Sequence, residues 1–457
     1  MNPRRLITRR QSLSVGATAF GLTLPQLLCS ESRSSQSATQ KPKAKSVIIL
    51  YLSGGPSQLD MWDMKPNAPE EIRGTFKPIS TTVPGIQICE HMPRMAKLAH
   101  QLTIVRSMSH NETDHLRAGH WIMTGGRLAR PITAFSGLSR DDSPHVGSVV
   151  AHELPSPRMP PFVIVPEYVS PRGVPRPGQH AGFLDARYDP YAIESDPNLS
   201  DYDPGPIVSS EGVSIERLHA RRRLIDQLGR RSAFTNHQVG KDLETFRNTA
   251  YNLVSSPAVS NAFDITNESD QTRERYGRHT FGQSTLAARR LIEAGVRLVQ
   301  VNFVRHDDAK GGQGYDSHSV APNPPHLKWA QDELLPPTDS AFAALIEDLD
   351  DRGLLDETLV VMMGEFGRTP RFNKQGGRDH WPSCYSLVLA GGGVASGAVY
   401  GQSDKIAAMP IADPVSPNDI LATIYHQLGI DHHRTIYDLE GRPHVIAGGK
   451  PIYGVLT

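Results

Sequence analysis

Cysteine is scarce in this chain, and its scarcity excludes a disulfide framework. The 457 residues include three cysteines, and Cys29 stands in an N-terminal segment that we expect to lie outside the fold. At most Cys89 and Cys384 remain to pair, whereas disulfide-stapled domains carry several bridges. Thiolate ligation of a metal is equally disfavoured, so a metal site in this chain has to be built from oxygen and nitrogen ligands.

The chain also lacks an excess of charge of either sign and a long hydrophobic run. Lys plus Arg and Asp plus Glu number 48 each. Without a bulk field we expect no binding of nucleic acid or of an anionic membrane surface, and partners must be sought in local sites. The apolar stretch at residues 13–28 is too short and too rich in glycine to span a bilayer, so we expect no transmembrane helix in the mature chain.

The N-terminus has the pattern of an export signal. A basic opening precedes the apolar stretch, and residues 8–13 (TRRQSL) resemble the twin-arginine consensus, with Ser12 where phenylalanine is usual. This pattern predicts delivery by the twin-arginine machinery to the periplasm or another exterior compartment. The alternative is a general secretory signal with incidental arginines. Lipid anchoring at Cys29 is disfavoured, because the large Leu28 before it fits lipoprotein cleavage poorly.

Short apolar runs alternate with amphipathic segments over the rest of the chain. Strands are predicted at residues 46–53, 102–108, 161–166, 296–304, 358–363 and 386–389, and helices at 93–100, 116–124, 145–154, 280–295, 340–351 and 418–428. This alternation predicts an α/β protein with a mainly parallel sheet.

The predicted domain organisation has two parts. Residues 1–45 are assigned to the export signal and a Ser/Lys-rich linker, and residues 46–457 to the α/β domain. Within the domain, residues 155–277 are rich in Pro, Asp and Arg and predict a loop-rich inserted cap over the sheet edge, with helices near 214–229 and 241–253. The arginines at 221–223 and 230–231 predict a solvated face.

The densest group of polar candidates follows the strand at residues 358–363. Glu365 is displayed directly after this strand, and the loop continues through Arg368, Arg378, Asp379 and His380. In open α/β sheets, ligands bind at the carboxyl ends of the strands, because the strands stop there and loops supply polar side chains. Taken singly, a turn-forming glutamate and a surface Asp-His pair explain these residues, but their co-occurrence behind a clear strand favours a functional site.

The first predicted strand is also followed by polar side chains. A Gly-Gly-Pro turn leads to Ser57, Asp60 and Asp63. There Asp60 can bind a hard cation, while Ser57 or backbone amides contact an anion. A loop with an N-cap aspartate explains the same residues equally well.

Histidines follow two further strands. Asp316 and His318 are two residues apart on a loop, so both can reach one ion; residues 306–308 (HDD) precede them on the same loop. Thr113, His115 and His120 follow the strand at residues 102–108, and these two histidines are five residues apart, a spacing that does not place them on one helix face as a metal pair.

Several motifs together resemble a known family. GGPSQLD, YDSH, GEFGRTP, GRDHW, a Gly-Arg-Pro tail and the twin-arginine-like start are similar to the exported domain-of-unknown-function 1501 family of the alkaline phosphatase and sulfatase superfamily. The resemblance spans nearly the whole chain. It implies a mainly parallel sheet sandwiched by helices, with one or two divalent metal ions at the ends of strands.

The resemblance also implies roles for the candidate residues. The implied metal ligands are Asp60, Asp316, His318, Glu365 and His380. The residues expected to contact these ligands and orient them, without binding the metal, are Asp379, Arg378, Asp63 and His120. A mixed oxygen and nitrogen set favours zinc or manganese, with calcium as an alternative.

The chain departs from the superfamily patterns at three places. Phe366 stands where a metal-binding histidine is found, and His115 stands where phosphatases have their nucleophilic serine. Residues 89–94 (CEHMPR) do not keep the Cys-x-Pro-x-Arg spacing of sulfatases, which weakens a sulfatase interpretation.

The expected function is hydrolysis of phosphate or sulfate esters, or a related transfer, by an exported metal-dependent enzyme. The substrate would be a small anionic ester or a sulfated polymer, with Arg368 and Arg378 binding its oxygens. The candidate catalytic residues are Thr113, His115, Ser57 and Arg368, but metal-bound water is the favoured attacking group because no serine occupies the matched position. The alternative, which Phe366 and His115 favour, is an exported protein that binds a metal or anion without turnover and keeps the sulfatase-like fold.

Overall fold

The first strand lies in the interior of a large sheet. The computed structural model describes residues 42–128, 130–133, 135–156, 158–170, 173–206, 215–229, 247, 250–304, 314–319 and 325–457. Strand β1 (Ser46–Tyr51) has the sequence SVIILY, and all six residues are buried. A continuous apolar run of this length is typical of a strand that is covered on both faces.

The main sheet contains eight of the described strands. All the described strands, in chain order, are β1, β2 (Pro78–Ser80), β3 (Gln87–Cys89), β4 (Leu102–Met108), β5 (Phe162–Val165), β6 (Tyr191–Ala192), β7 (Leu298–Asn302), β8 (Thr358–Met363), β9 (Gly367–Arg368), β10 (His380–Trp381), β11 (Tyr385–Ala390), β12 (Ala398–Tyr400), β13 (Gln402–Ser403), β14 (Pro410–Ala412), β15 (Thr435–Tyr437) and β16 (Pro443–Val445). The order in the main sheet is β12-β4-β11-β8-β1-β7-β5-β6, and the remaining strands pair two by two.

The main sheet is parallel except at one strand. β11 is antiparallel to both of its neighbours, β8 and β4, and the other pairings in this sheet are parallel. β1, β4, β7 and β8 therefore run in the same direction, and their carboxyl ends lie at one edge of the sheet. The prediction of a mainly parallel sheet is confirmed.

Helices cover both faces of the sheet. The described α-helices are α1 (Glu70–Arg73), α2 (Pro93–Leu98), α3 (His115–Thr124), α4 (Val146–Glu153), α5 (Ile215–Gly229), α6 (Pro257–Phe263), α7 (Asp270–Tyr276), α8 (Thr280–Glu293), α9 (His326–Trp329), α10 (Leu335–Asp351) and α11 (Pro417–Gln427). Because side chains alternate along a strand, Ile48 and Leu50 of β1 join one core with α2, α8 and α10, while Val47 and Ile49 join a second core with α3, α4 and α11.

Most predicted elements are present, with differences at their ends. The bounds of β4 and β8 agree with the prediction, and α3 begins at His115, one residue before the predicted start. α10 begins at Leu335, five residues before the predicted start at residue 340. Its Pro336 and Pro337 lie in the first turn, where the missing N–H groups have no partner within a helix.

The stretch at residues 155–277 contributes to the main fold. β5 and β6 extend the main sheet, and α6 and α7 contact α8 and α10. Residues Lys43–Thr457 form one compact unit. Five parts of the chain named above lie outside the described residues: the predicted export signal, most of the linker, residues 230–231, most of the predicted helix at residues 241–253, and residues 306–308. None of the described helices is long and apolar enough to cross a membrane.

His145 links the stability of the fold to pH. Its Nδ1 accepts a hydrogen bond from the amide of Gly147 (2.9 Å) at the start of α4, and its Nε2 donates to Oε1 of Gln300 (2.8 Å). Burial lowers the pKa of His145 to about 3. Below about pH 6.5 an unfolded chain binds a proton that the folded chain does not, so this residue lowers the free energy of unfolding by about 1.4 kcal/mol per pH unit as the pH falls.

We expect His145→Asn to reduce this pH dependence. Asparagine is also a good N-cap, so the start of α4 is retained while the titrating group is lost. Urea unfolding in the presence of EDTA between about pH 6 and pH 4 should show a shallower slope for the variant than for the unaltered protein. The exposed His100 provides the control, because His100→Asn should leave the slope unchanged. An unchanged slope for His145→Asn would contradict this account.

Candidate metal centre

Loops that follow several strands meet at the carboxyl edge of the sheet. His115 begins α3, beyond β4; Asp316 lies beyond β7; and His380 begins β10, on the chain that continues from β8. Each of the three offers a ligand atom, and these atoms all lie within 4.8 Å of one another. Among the described residues, this is the group of at least three side chains that can hold a metal ion.

His318 completes the cluster around Asp316. Its Nε2 lies 2.9 Å from Oδ1 of Asp316 and 2.8 Å from Nε2 of His380. Nε2 of His380 is 3.2 Å from the same Oδ1, and Nε2 of His115 is 3.2 Å from Oδ2 of Asp316. One carboxylate and three imidazoles therefore converge.

Nδ1 of each of the three imidazoles contacts an oxygen atom of another residue. The partners are Oε1 of Glu365 for His115 (2.6 Å), Oδ1 of Asp379 for His318 (3.0 Å) and the carbonyl oxygen of Thr113 for His380 (2.7 Å). Ionised carboxylates and carbonyls only accept hydrogen bonds, so Nδ1 carries the proton in each neutral ring. The Nε2 lone pairs then face Asp316. Metal-binding histidines have the same arrangement: one ring nitrogen donates to an oxygen that fixes the ring, and the other is left for the metal.

The spacing between Oδ1 of Asp316 and Nε2 of His318 and His380 is close to that around a small divalent ion. Tetrahedral ligands about 2.0–2.1 Å from zinc are about 3.3–3.4 Å apart, and the contacts around Asp316 Oδ1 are only a few tenths of an ångström shorter. The facing Nε2 atoms of His318 and His380 need a proton or a cation between them, since two lone pairs repel. Nε2 of His115 is buried and has no hydrogen-bond partner. Imidazole nitrogens together with a carboxylate oxygen are a donor set that can hold a divalent metal ion.

The charges of the cluster also favour a cation. Burial disfavours ionisation of Asp316, but its close contacts with His115, His318 and His380 hold its pKa well below the usual range. For His115, burial is outweighed by Asp316 and Glu365, and its pKa is raised. The hydrogen bond to Asp316 likewise raises the pKa of His318. The raised pKa values favour a second proton on each of these two rings, and a bound ion would displace that proton.

Glu365 lies behind His115 and is separated from the centre by that ring. Its two carboxylate oxygens accept from the amide of Gly54 at 3.0 and 3.2 Å, and Arg176 Nη1 is 3.5 Å away. Burial opposes ionisation, but His115 and Arg176 bring the pKa of Glu365 down to about 2. The sequence-based interpretation expected Glu365 to be a ligand, whereas this geometry makes it the group that orients His115.

Phe366 forms an apolar base beneath two of the rings. Its ring centroid lies 4.9 Å from that of His115 and 4.5 Å from that of His380, and the residue is fully buried. Gly55 makes this packing possible, because its φ is +84° and a Cβ there would lie 2.6 Å from the phenyl ring. Phe366 thus positions the rings although it cannot ligate.

Asp60 and Ser57 do not join the cluster. Asp60 is buried, and its carboxylate is bound by Arg378 Nε and Nη2 (2.8 and 3.0 Å), His326 Nε2 (2.8 Å) and Ser57 Oγ (2.5 Å). Its sequence position after β1 gave no sign of these partners, which are 266 and 318 residues away. Of the five expected ligands, the structure brings Asp316, His318 and His380 together.

The donors of Arg368 and Arg378 are committed to the protein itself. Both side chains are fully buried. Arg368 donates to the carbonyl oxygens of Gly54, Gly55, Tyr315 and Arg378 and to Asp316 Oδ1 (2.8 Å). Arg378 donates to Asp60 and to the carbonyl oxygens of Ile72, Thr369 and Pro370. The structure therefore places both arginines as internal clamps, whereas the sequence-based interpretation assigned them to substrate oxygens.

Two of the expected supporting residues lie elsewhere. Asp63 contacts Lys65 (2.8 Å) and Ser403. His120 lines a separate cavity of about 590 Å³, and burial lowers its pKa to about 4. Asp379, by contrast, supports His318 directly.

Sequence reasoning missed three residues around the centre. Nε2 of His110 donates to the carbonyl oxygen of Glu365 (2.7 Å), and its place directly beyond β4 was an available signal. Arg176 and His326 carried no such signal. They come from segments without a strand end or a motif, and only the folded chain brings them near Glu365 and Asp60.

The fold and the cluster together define an α/β protein with a histidine-rich group of side chains that can hold a metal ion at the carboxyl edge of its sheet. The chain matches the family model described as "Protein of unknown function (DUF1501)" over residues 44–456 and belongs to that family. A search of the curated proteins found no similar sequence.

Solved structures with a similar fold come from several kinds of protein. A sulfatase from Pseudoalteromonas sp. is 12% identical with a TM-score of 0.38, and the match covers 94% of this chain and 72% of that one. A phosphonate monoester hydrolase from Silicibacter pomeroyi is 12% identical (TM-score 0.42; 91% and 77% covered). An alkaline phosphatase from an Antarctic bacterium is 12% identical (TM-score 0.36; 85% and 99% covered). Similarity this distant does not assign a reaction to this chain.

Proposed function

We propose that this protein is an exported, metal-dependent hydrolase of phosphate or sulfate esters, or a related transferase. The observation that carries the proposal is the convergence of three imidazole Nε2 atoms on Asp316, with each ring fixed by an oxygen on its Nδ1. Such a set binds a divalent ion, and the location at the carboxyl edge of the sheet suits a ligand site. Export is inferred from the N-terminal pattern.

The proposed ion would be held by His115, Asp316, His318 and His380. A divalent ion at this place would neutralise the negative charge of an ester and favour attack by water. Water remains the proposed attacking group, because Ser57 is buried and donates its hydroxyl to Asp60. The substrate class is a small anionic ester or a sulfated polymer.

The protein contributes the fixed geometry of the four ligands. Glu365, Asp379 and the carbonyl of Thr113 hold the rings in the tautomer that presents Nε2. Phe366 packs against the rings of His115 and His380 and gives the centre an apolar base. Because Arg368 and Arg378 are internally bonded, the compensation of substrate charge falls mainly to the ion.

The proposal is tested with the purified full-length protein loaded with zinc or manganese. We expect metal-dependent hydrolysis of at least one of four nitrophenyl substrates: a phosphate monoester, a phosphate diester, a phosphonate monoester and a sulfate. EDTA and Asp316→Ala should abolish it, whereas Asp339→Asn should not, because Asp339 caps α2 through the amides of Arg94 and Met95. A protein that neither binds metal nor hydrolyses any of the four esters would contradict the proposal.

The second candidate is a protein that binds a metal without turnover. Two features favour it: the sequence resemblance matches His115 to the nucleophilic serine of phosphatases, and both arginines donate to acceptors within the protein. Stoichiometric metal binding without hydrolysis of any ester would support this candidate. Hydrolysis that disappears in Asp316→Ala would exclude it.

A further inference from the structure

A serine, a histidine and an aspartate form a buried hydrogen-bonded chain beside the proposed metal centre. Oγ of Ser317 lies 2.5 Å from Nδ1 of His326, and Nε2 of His326 lies 2.8 Å from Oδ2 of Asp60. The exposed fractions of Ser317, His326 and Asp60 are 4%, 3% and 1%. Residues of the same three types form the catalytic triad of serine hydrolases, so the role of this chain has to be decided from its surroundings.

The protons in the chain run from serine to aspartate. Burial opposes ionisation of Asp60, but Arg378 and His326 hold its pKa well below the usual range, so the carboxylate only accepts. Nε2 of His326 therefore carries a proton. Burial also lowers the pKa of His326, so its Nδ1 is unprotonated and accepts the hydroxyl proton of Ser317.

The position of Ser317 excludes a nucleophilic role. Its neighbours Asp316 and His318 contact each other through Oδ1 and Nε2 at 2.9 Å, so both are directed to the metal centre. Oγ of Ser317 contacts His326, and the residue is 4% exposed. Its hydroxyl is therefore not open to an ester.

Asp60 also holds the second segment that carries ligands. Arg378 donates to both oxygens of Asp60, and its amide donates to the carbonyl oxygen of Ser317 at 3.4 Å. Asp379 and His380 follow it directly in the chain. One buried carboxylate thus anchors both segments: the first carries Asp316 and His318, and the second carries His380.

We infer that Asp60, His326 and Ser317 are positioning residues that hold the metal ligands in place before the ion binds. The inference rests on the proposed metal centre and adds to it a role for Asp60 other than ligation. A preorganised site binds more tightly, because the cost of ordering its ligands is met when the protein folds. Loss of the Ser317 hydroxyl should therefore weaken metal binding although no ligand is removed.

The test compares Ser317→Ala with Ser403→Ala in the full-length protein. Ser403 is a matched control, because it is 3% exposed and, like Ser317, gives its hydroxyl proton to a buried acceptor, in this case the carboxylate of Asp63. Zinc affinity is measured by competition with a chromophoric chelator, and unfolding in EDTA is measured in parallel. We expect zinc to bind Ser317→Ala about 10–100-fold more weakly than the unaltered protein, and Ser403→Ala to bind it unchanged, with similar unfolding midpoints for the two variants.

Two further variants test the positioning role independently of Ser317→Ala. Ser317→Cys keeps the volume and a weak donor, so it should have intermediate affinity and serves if the alanine variant does not fold. Asp60→Asn combined with Ser317→Ala should weaken zinc binding by less than the product of the two single effects. Normal zinc affinity in the Ser317 variants, or labelling of Ser317 by a fluorophosphonate, would overturn the positioning role alone. Failure of the unaltered protein to bind zinc would instead contradict the proposed metal centre and the positioning role with it.

Discussion

Asp316→Asn should abolish tight metal binding while leaving the fold intact. Asp316 is the one residue that all three imidazoles of the cluster approach, at 2.9 to 3.2 Å. Asparagine keeps the size of the side chain but removes the negative charge and half of the acceptor capacity. We expect the zinc affinity of the variant to fall by more than the 10–100-fold typical of losing a supporting residue, as measured by chelator competition or calorimetry.

Two comparisons make this result specific. Asp379→Asn should weaken zinc binding by about 10–100-fold, because Asp379 only orients His318. Asp339→Asn should leave the zinc affinity unchanged. It also removes the charge of a buried aspartate, but that aspartate contacts the amides of Arg94 and Met95 and not the cluster. If all three variants bound zinc like the unaltered protein, the cluster would not be the metal site.

The affinity for metal should also fall as the pH is lowered. The pKa of His318 is raised mainly by its hydrogen bond to Asp316, and the pKa of His115 is raised because Asp316 and Glu365 outweigh its burial. Protons therefore compete with the metal for these rings, and the competition strengthens with acidity. Zinc titrations at descending pH should show progressively weaker binding, with protons released on binding; binding independent of pH would argue against ligation by these histidines.

Arg368→Met should lower the stability of the fold more than any of the other substitutions. The guanidinium is fully buried and donates to four carbonyl oxygens and to Asp316. Methionine leaves these acceptors without a donor and Asp316 without its nearest cation. Removal of one partner from a buried pair of this kind costs about 3–5 kcal/mol, which a lowered urea midpoint should show.

Arg371 on the same loop provides the matched control. Its side chain is 68% exposed and pairs with Glu71 at 3.2 Å, so Arg371→Met should cost no more than about 1 kcal/mol. If Arg368→Met were as stable as Arg371→Met and lost only substrate affinity, Arg368 would be a substrate-binding residue, as its sequence position first indicated. Equal stability of the two variants would therefore contradict the internal role that the contacts give it.

The sequence predicts the strands of this protein better than it predicts their arrangement. The apolar runs of β4 and β8 define both ends of these strands, because each is buried over almost its whole length. The antiparallel insertion of β11 between β8 and β4 left no comparable signal. Strand order depends on which buried surfaces pack together, and apolar content alone does not encode it.

The candidate site shows the same limit. The motifs located Asp316, His318 and His380, because each follows a strand or belongs to the Gly-rich loop after β8. The motifs did not distinguish a residue that can bind the metal from a residue that only contacts and orients such a residue. Glu365 and Asp60 looked like ligands in the sequence, but the former is covered by His115 and the latter by Arg378 and His326. Partners hundreds of residues away decide such roles.

The most direct test of the central claim is anomalous X-ray scattering at the zinc edge from crystals of the protein grown with zinc. We predict a single strong peak within about 2.0–2.2 Å of Nε2 of His115, His318 and His380 and of a carboxylate oxygen of Asp316. A peak bound by Asp60 or Glu365 instead, or no peak at this cluster in zinc-loaded protein, would contradict the account.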